Sequence, residues 1–168
     1  MARGGPRNRS GPQPDPRSAR SEGRGLGFDQ LPAEGYDGPV PEFPLPRREV
    51  FYLLPDSREK IFDEAATNVI RERELEVWGW AWGTPQAAAW SREPWRHLTV
   101  AMWVRTFVVC EGSEATAADK GSLHRFADQI GLTPAGLREN GWTIAATAVQ
   151  PSAPAPTDEL APRRRMRA

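Results

Sequence analysis

The sequence predicts a mainly α-helical, compact domain of four to five helices with a short β-hairpin and a disordered arm at each end. Apolar residues recur at helical spacing through the middle of the chain, and residues typical of helix ends separate the helices. Both ends are rich in Pro, Gly and Arg. We divide the chain into a basic arm (1–27), a proline-rich extended segment (28–48), a helical domain (49–148) and a basic tail (149–168).

Charge is distributed unevenly, although the 168 residues carry 22 basic and 22 acidic side chains. Residues 1–25 hold six arginines and two acidic residues, a net charge of +4. Residues 151–168 hold four arginines and two acidic residues, a net charge of +2. The middle, 26–150, holds 12 basic and 18 acidic residues, a net charge of −6. Two basic arms therefore flank an acidic domain.

The arms have too little apolar surface to offset the entropy of ordering. Basic arms of this kind often contact nucleic-acid phosphates, and the alternative is a solvated tail that keeps the protein soluble. The candidate DNA-binding residues are the arginines of both arms and one arginine of the last helix: Arg3, Arg7, Arg9, Arg17, Arg20, Arg24, Arg138, Arg163, Arg164, Arg165 and Arg167.

The proline-rich segment alternates apolar side chains with Pro39, Pro41, Pro44 and Pro46. This pattern suits an extended arm that lies on a surface, either its own or a neighbour's. We expect little contribution to the core from outside residues 50–148.

A short hairpin should follow this segment. Residues 50–54 form an apolar strand, 55–57 form a turn, and 60–62 return as a second strand. Because a lone hairpin is marginally stable, it must pack on the helices.

The first long helix is predicted from about Glu64 to Trp82, and Gly83 ends it. Charged residues between 71 and 76 supply its polar face, Glu74 among them. Its apolar residues at helical spacing are Ile70, Leu75, Val77, Trp78, Ala81 and Trp82.

A second long helix should begin at Pro94 and run to about Glu111. It is apolar on nearly every side, so it lies in the core or in the core and a subunit interface together. A strand is the alternative, because β-branched residues are frequent, but the length favours a helix. Arg105 would be costly inside unless it is paired or points outward.

The aromatic residues of both long helices and of the short helix at 85–90 are candidates for an oligomer interface. Tryptophans can also stack nucleobases, although at helical spacing beside alanines they more often fill a core. The interface candidates are Trp78, Trp82, Trp90, Trp103 and Phe107.

The clearest local signals lie at helix ends. Thr116 and Asp119 fit a capping box that starts a third long helix. Gly131 can take a positive φ and end it, Thr133 can cap the next helix, and Pro134 occupies the first position of that helix.

The motif at residues 83–85, Gly-Thr-Pro, suggests the same device upstream. The last helix should end at Asn140–Gly141, and Trp142 and Ile144 should fold back onto the core.

Signals of catalysis are lacking in the sequence. Cys110 is the single cysteine and lies in an apolar run, which is typical of a buried structural thiol. We find no metal-ligand spacing, phosphate loop or nucleophile elbow, and expect neither an enzyme nor a cofactor. There is no signal peptide or membrane-spanning run, so we expect a cytoplasmic protein without a membrane partner.

An ordered series of motifs resembles one known family. The series comprises Trp-Gly-Thr-Pro-Gln-Ala at 82–87, Val-Ala-Met-Trp-Val-Arg at 100–105, Phe-Ala-Asp-Gln-Ile-Gly-Leu-Thr-Pro at 126–134 and Leu-Arg-Glu-Asn-Gly-Trp-Thr-Ile at 137–144. Together they resemble the terminase small subunits of actinobacterial phages and prophages. The resemblance covers about residues 74–144.

The resemblance implies a non-catalytic, DNA-binding subunit of a viral genome-packaging terminase in an infected or lysogenic bacterial cell. Its implied partners are double-stranded viral DNA, the terminase large subunit and further copies of itself, for example in a ring. The last helix is less basic here than is usual in that family, which moves the expected DNA contact toward the arms. The alternatives are a phage structural or scaffolding adaptor that oligomerises without binding DNA, and a small helix-turn-helix regulator with its motif at 128–140.

Overall fold

The mainly α-helical fold is confirmed in the computed structural model, which describes residues 27–57 and 59–146. The predictions made for 1–26 and 147–168 lie outside these residues. The helices are α1 (Glu64–Trp82), α2 (Ala87–Trp90), α3 (His97–Glu111), α4 (Ala117–Gln129) and α5 (Pro134–Glu139), with a 3-10 turn at Pro94–Arg96 before α3. The strands are β1 (Asp29–Leu31), β2 (Phe51–Leu53), β3 (Lys60–Phe62) and β4 (Trp142–Ile144). Across these residues, no helix combines the length and the apolar character needed to cross a membrane.

The predicted hairpin forms from β2 and β3, which pair in antiparallel register at the start of α1. The Asp63 side chain caps α1 by accepting a hydrogen bond from the Ala66 N–H at 2.9 Å. The Val50 N–H donates to the buried Thr67 hydroxyl at 2.9 Å. These two bonds fix the base of the hairpin to the first turn of α1.

The junction between α4 and α5 is built as the sequence predicts. Thr116 and Asp119 form the capping box at the start of α4, and hydrogen bonds from Thr116 hold the pKa of the Asp119 carboxyl below its usual value. At the other end, Gly131 has φ +81° and the Leu132 N–H reaches back to the Ala127 carbonyl at 2.9 Å. The Thr133 hydroxyl then accepts from the Gly136 N–H and caps α5.

The prediction that the Gly-Thr-Pro motif at 83–85 repeats this helix junction is wrong. Gly83 has φ −84°, which any residue adopts. The Thr84 hydroxyl donates back to the Ala81 carbonyl at 2.7 Å, so it closes α1 and does not cap α2. Gly83 is in close contact with Gly35. A Cβ on Gly35 would lie 2.2 Å from the carbonyl oxygen of Gly83, so the backbone approaches itself closely at these two residues.

A second, parallel sheet joins the two ends of the described chain, and the sequence analysis missed it. Strand β1 pairs with β4, with Asp29 opposite Trp142 and Leu31 opposite Ile144. Leu31 and Trp142 are buried, as expected for Trp142. Ile144 is 42% exposed, so the expectation that it folds back onto the core is wrong. It shares a strand face with Trp142, but burial along β4 falls from Trp142 to Ile144 at the end of the strand.

The core includes residues from the proline-rich segment, contrary to the expectation that residues 50–148 would build it alone. Leu31 and Phe43 are buried, and Tyr36 and Leu45 pack against the same cluster. The segment therefore lies on its own domain. Its side chains Tyr36 and Phe43 pack against Trp82 and Trp78 of α1, and its Pro46 carbonyl accepts a hydrogen bond from Arg105 of α3.

At two helical glycines we predict opposite effects of substitution by alanine on the free energy of unfolding. A Cβ on Gly136 would lie 2.2 Å from the Asp128 carbonyl oxygen, whereas one on Gly121 in α4 would meet nothing within 4 Å. We expect Gly136→Ala to lower the free energy of unfolding by about 1–3 kcal/mol through overpacking. We expect Gly121→Ala to raise it by up to about 1 kcal/mol through helix propensity. Denaturant unfolding of both variants measures the two changes in the free energy of unfolding. Changes of the same sign would contradict the close packing of α5 on α4.

Candidate functional site

Three of the five candidate interface residues lie inside the core. Trp78, Trp82 and Trp90 are all at most 2% exposed. The Trp82 ring packs edge-on against Trp78 at 5.5 Å and against Trp90 at 6.0 Å between ring centroids. The prediction that these three form an oligomer interface is wrong, because their own domain already covers them.

The Pro-Gln-Ala-Ala-Ala-Trp sequence at 85–90 has a structural role, which explains its glutamine and its tryptophan. The Trp90 Nε1–H donates to the Ile130 carbonyl at 2.9 Å, and the Gln86 amide donates to the Gly131 carbonyl at 3.1 Å. Both acceptors belong to the end of α4, where carbonyl groups have no partner within the helix. The motif therefore fastens α2 to the α4–α5 junction, which connects two of the motifs that carry the family resemblance.

The other two candidates, Trp103 and Phe107, line an open groove between α1 and α3. Trp103 is almost fully buried, and Trp80 lies over it with ring centroids 6.1 Å apart. Trp80 itself is 60% exposed. The groove has a volume of about 330 Å³, and Arg73 and Glu76 lie at its rim.

A buried carboxylate, Glu74, connects α1 to α3. The Arg105 Nε–H donates to Glu74 Oε1 at 2.6 Å, and another guanidinium nitrogen donates to Oε2 at 3.2 Å. Arg71 donates to Oε2 at 3.4 Å. Arg105 is therefore paired, as the sequence analysis required. Glu74 is 0% exposed, which corrects its prediction as a polar-face residue.

The same two arginines hold the proline-rich segment. Arg71 donates to the Leu45 carbonyl at 2.9 Å, and Arg105 donates to the Pro46 carbonyl at 2.5 Å. Trp78 donates to the carbonyl of Pro41 at 2.8 Å. These carbonyls are free to accept because an extended proline-rich backbone makes no internal hydrogen bonds.

Phe43 is the side-chain anchor of the segment. Its ring lies edge-on to Trp78 at 5.2 Å, and the Arg71 guanidinium lies 4.7 Å from its centroid. The buried carboxylate orients the arginines that hold both the backbone and the ring.

Other arginines of the described residues also contact neighbouring groups. Arg73 pairs with Glu111 at 2.6 Å and Glu76 at 2.8 Å, which raises the pKa of Arg73 and lowers the pKa of Glu111. Because the folded pKa of Glu111 is lowered, this pair stabilises the fold above the usual carboxyl pKa and loses that effect as the pH falls through the lowered value. The pair is half exposed, so its effect is small.

Arg96 packs between two indole rings, 4.4 Å from the centroid of Trp95 and 4.9 Å from that of Trp142. It also donates to the Gln129 carbonyl at 2.8 Å. Arg92 pairs with Asp29 at 3.3 Å. These contacts tie the segment before α3 to β1 and β4.

The candidate DNA-binding residues divide between the two parts of the chain. Arg138 lies exposed in the last turn of α5. The ten arginines of the arms fall outside the described residues. Within residues 27–57 and 59–146, no cluster of three or more His, Cys, Asp or Glu side chains could hold a metal ion. Cys110 is a half-buried free thiol.

Comparison with known proteins yields no relative. No protein-family model, no curated protein and no solved structure matches this chain.

Proposed function

We propose that this chain is a non-catalytic DNA-binding subunit of a viral genome-packaging terminase, which presents viral DNA to the large, ATPase and nuclease subunit. The observation that carries the proposal is the separation of charge. Ten of the 22 basic residues lie in the arms. Within the acidic domain, Arg71, Arg73, Arg92, Arg96 and Arg105 all contact groups of their own chain.

The second support is the motif series that resembles terminase small subunits. Two of its motifs, at 82–87 and 126–134, meet through the hydrogen bond from Gln86 to the Gly131 carbonyl, and Trp90, three residues after the first motif, adds a bond to the Ile130 carbonyl. This contact gives a physical reason for the two motifs to occur together in one chain.

The proposed division of labour follows from the charges. The arms contact phosphates without reading sequence, and the domain holds the copies together and binds the large subunit. Several copies bring several pairs of arms to one duplex, so weak contacts add up to useful avidity. Arg138 adds at most one further contact from the domain. We place the protein in the bacterial cytoplasm, where packaging of viral DNA takes place.

The salt dependence of DNA binding tests the role of the N-terminal arm. Changing Arg3, Arg7, Arg9, Arg17, Arg20 and Arg24 together to Gln should weaken duplex binding at low salt. Each lost phosphate contact reduces the slope of log K against log salt by about 0.9, so six contacts reduce it by at most about five. Fluorescence anisotropy with a labelled duplex over a salt series measures both quantities.

Arg138→Gln is the matched control and should change the slope by at most about one. The oligomer mass should be the same in both variants. An unchanged affinity in the six-arginine variant would refute the role of this arm. If the unmodified chain also ignores duplexes at low salt, an oligomer would favour the adaptor function. A monomer or dimer specific for one duplex would favour the regulator.

A further inference from the structure

The β2–β3 hairpin exposes four large apolar side chains. Phe51, Tyr52, Leu53 and Phe62 are each between 47% and 60% exposed. Phe51 and Phe62 form a cross-strand aromatic pair with centroids 5.7 Å apart. In the described part of the chain the sheet has two strands and no further neighbour. The sequence analysis expected this hairpin to pack on the helices, but only its base at Val50 and Asp63 is fixed to α1.

The hydrogen bonds within the hairpin determine which backbone groups face outward. The Leu54 N–H donates to the Glu59 carbonyl, and the Asp63 N–H donates to the Val50 carbonyl. In an antiparallel pair, residues whose backbone N–H and C=O groups point to the partner strand alternate with residues whose groups point away from it. Residues 50, 52 and 54 therefore face β3, and the N–H and C=O groups of Phe51 and Leu53 point away from it.

The two edges of the hairpin differ in charge. The outward-facing residues of β3 are Lys60 and Phe62, and an edge lysine discourages pairing with another strand. The edge of β2 carries no charged residue, since its strand is Phe-Tyr-Leu. The β2 edge is therefore the open edge for pairing.

We propose that the β2 edge pairs with β2 of a second copy, antiparallel and about a two-fold axis at Tyr52. In this register Phe51 lies opposite Leu53 of the second copy, and the two pairs exchange four backbone hydrogen bonds. The two Tyr52 residues form the non-hydrogen-bonded pair at the centre, where side chains approach most closely. The result is a four-stranded sheet with Phe51, Leu53 and Phe62 of both copies on one face and the two Tyr52 rings on the other.

The chain itself favours a second copy as the occupant. The edge requires a strand with outward-facing backbone groups and no charged side chain. Among the described strands, β1 and β4 already pair with each other, and β3 carries Lys60. Strand β2 matches its own edge because an isologous contact brings identical residues together.

The area of this contact predicts its strength. Half-exposed large apolar side chains offer roughly 100 Å² each, so the three side chains of each β2 bury at most roughly 600 Å² over both copies. This lies below the approximately 1,200 Å² of stable interfaces, so a single pairing is weak and concentration-dependent. The inference rests on the oligomeric part of the proposed function and does not require DNA.

The first test compares two exposed leucines. Leu53 is 60% exposed on β2 and Leu98 is 58% exposed on α3. We expect the unmodified full-length chain to form dimers or multiples of dimers as its concentration rises. Leu53→Lys should halve that mass, and Leu98→Lys should leave it unchanged. Native mass spectrometry over a concentration series measures this, and circular dichroism shows whether both variants remain folded.

The second test fixes the register. In a Cys110→Ser background, Tyr52→Cys places two thiols opposite each other across the axis, where Cα atoms lie about 4.5 Å apart and a disulfide can form. Mild oxidation should convert most of this variant to a covalent dimer. Ser57→Cys in the hairpin turn is the control and should remain largely uncrosslinked.

A chain that stays monomeric at every concentration would overturn the proposal. An oligomer that resists Leu53→Lys or does not crosslink through Tyr52→Cys would overturn it too. Duplex binding is measured separately on the same samples. An unmodified chain that stays monomeric but binds DNA refutes this interface alone, whereas a dimer that ignores DNA refutes the proposed function alone.

Discussion

Trp90→Ala is expected to lower the free energy of unfolding by about 3–5 kcal/mol, the usual cost of deleting a fully buried aromatic side chain. Trp90 is 0% exposed, and its Nε1–H supplies the hydrogen bond to Ile130. The substitution therefore creates a cavity beside Trp82 and leaves the carbonyl of Ile130 without its donor. Urea denaturation followed by tryptophan fluorescence and circular dichroism measures the loss.

Two controls separate the contributions. Trp90→Phe keeps most of the ring and removes the hydrogen bond, so we expect a smaller loss of about 1–3 kcal/mol. Trp95→Ala removes an exposed ring and should cost less than about 1 kcal/mol. If Trp90→Ala dissociates an oligomer and leaves the unfolding of the subunit unchanged, Trp90 belongs to an interface and its assignment to the core fails.

Arg105→Met should also destabilise the fold strongly, by about 3 kcal/mol. Removing one partner of a buried ion pair commonly costs 3–5 kcal/mol, because the remaining charge is left uncompensated. We take the lower end because Arg71 remains at 3.4 Å from Glu74 and because Arg105 is partly solvated. The loss of the bond to Pro46 should also loosen the proline-rich segment, which limited proteolysis would report as faster cleavage between residues 38 and 48.

Arg73→Met is the matched control, because it removes the exposed pair with Glu111 and should cost much less than Arg105→Met. Replacing Glu74 by Leu in the Arg105→Met background should recover part of the loss, since no uncompensated buried carboxylate then remains. Equal losses for Arg105→Met and Arg73→Met, or no recovery in the double variant, would contradict the assignment of Glu74 as the anchor.

Local signals in the sequence predicted the helix ends well. Gly131, Thr133 and Pro134 act within a few residues of each other, as do Thr116 and Asp119, so no distant contact decides their geometry. The Gly-Thr-Pro at 83–85 is similar in sequence, although it lacks the residue between Gly and Thr, and it differs in structure. There the backbone stays right-handed, because α1 runs directly into the turn before α2.

Distant contacts account for what the sequence analysis missed. Strands β1 and β4 have three residues each, too few for an alternating pattern, and their pairing depends on the whole fold. Phe43 lies among prolines, which suggested an extended arm and concealed its position in the core.

Glu74 could have been placed correctly from its spacing. It follows Ile70 by four residues and precedes Val77 by three, so it belongs to the apolar face of α1. Its charge led us to the polar face, because a buried carboxylate is rare without partners. Arg105 signalled the need for such a partner, and reading the two residues together would have predicted the pair.

The tryptophans were misassigned for a related reason. An aromatic stripe at helical spacing fits a core and an interface equally well, and only the path of residues 36–46 shows which side is covered. Exposed aromatic residues that remain for a partner lie in the hairpin, at Trp95 and in the groove at Trp80, and the sequence analysis singled out only the groove, through Trp103 and Phe107.

The native mass of the full-length protein, measured with and without duplex DNA at low salt, tests the central proposal most directly. We predict a multiple of the 18.7 kDa monomer that gains the mass of the duplex and releases it as salt rises. A mass that stays the same when duplex DNA is added at low salt would contradict a DNA-binding packaging subunit.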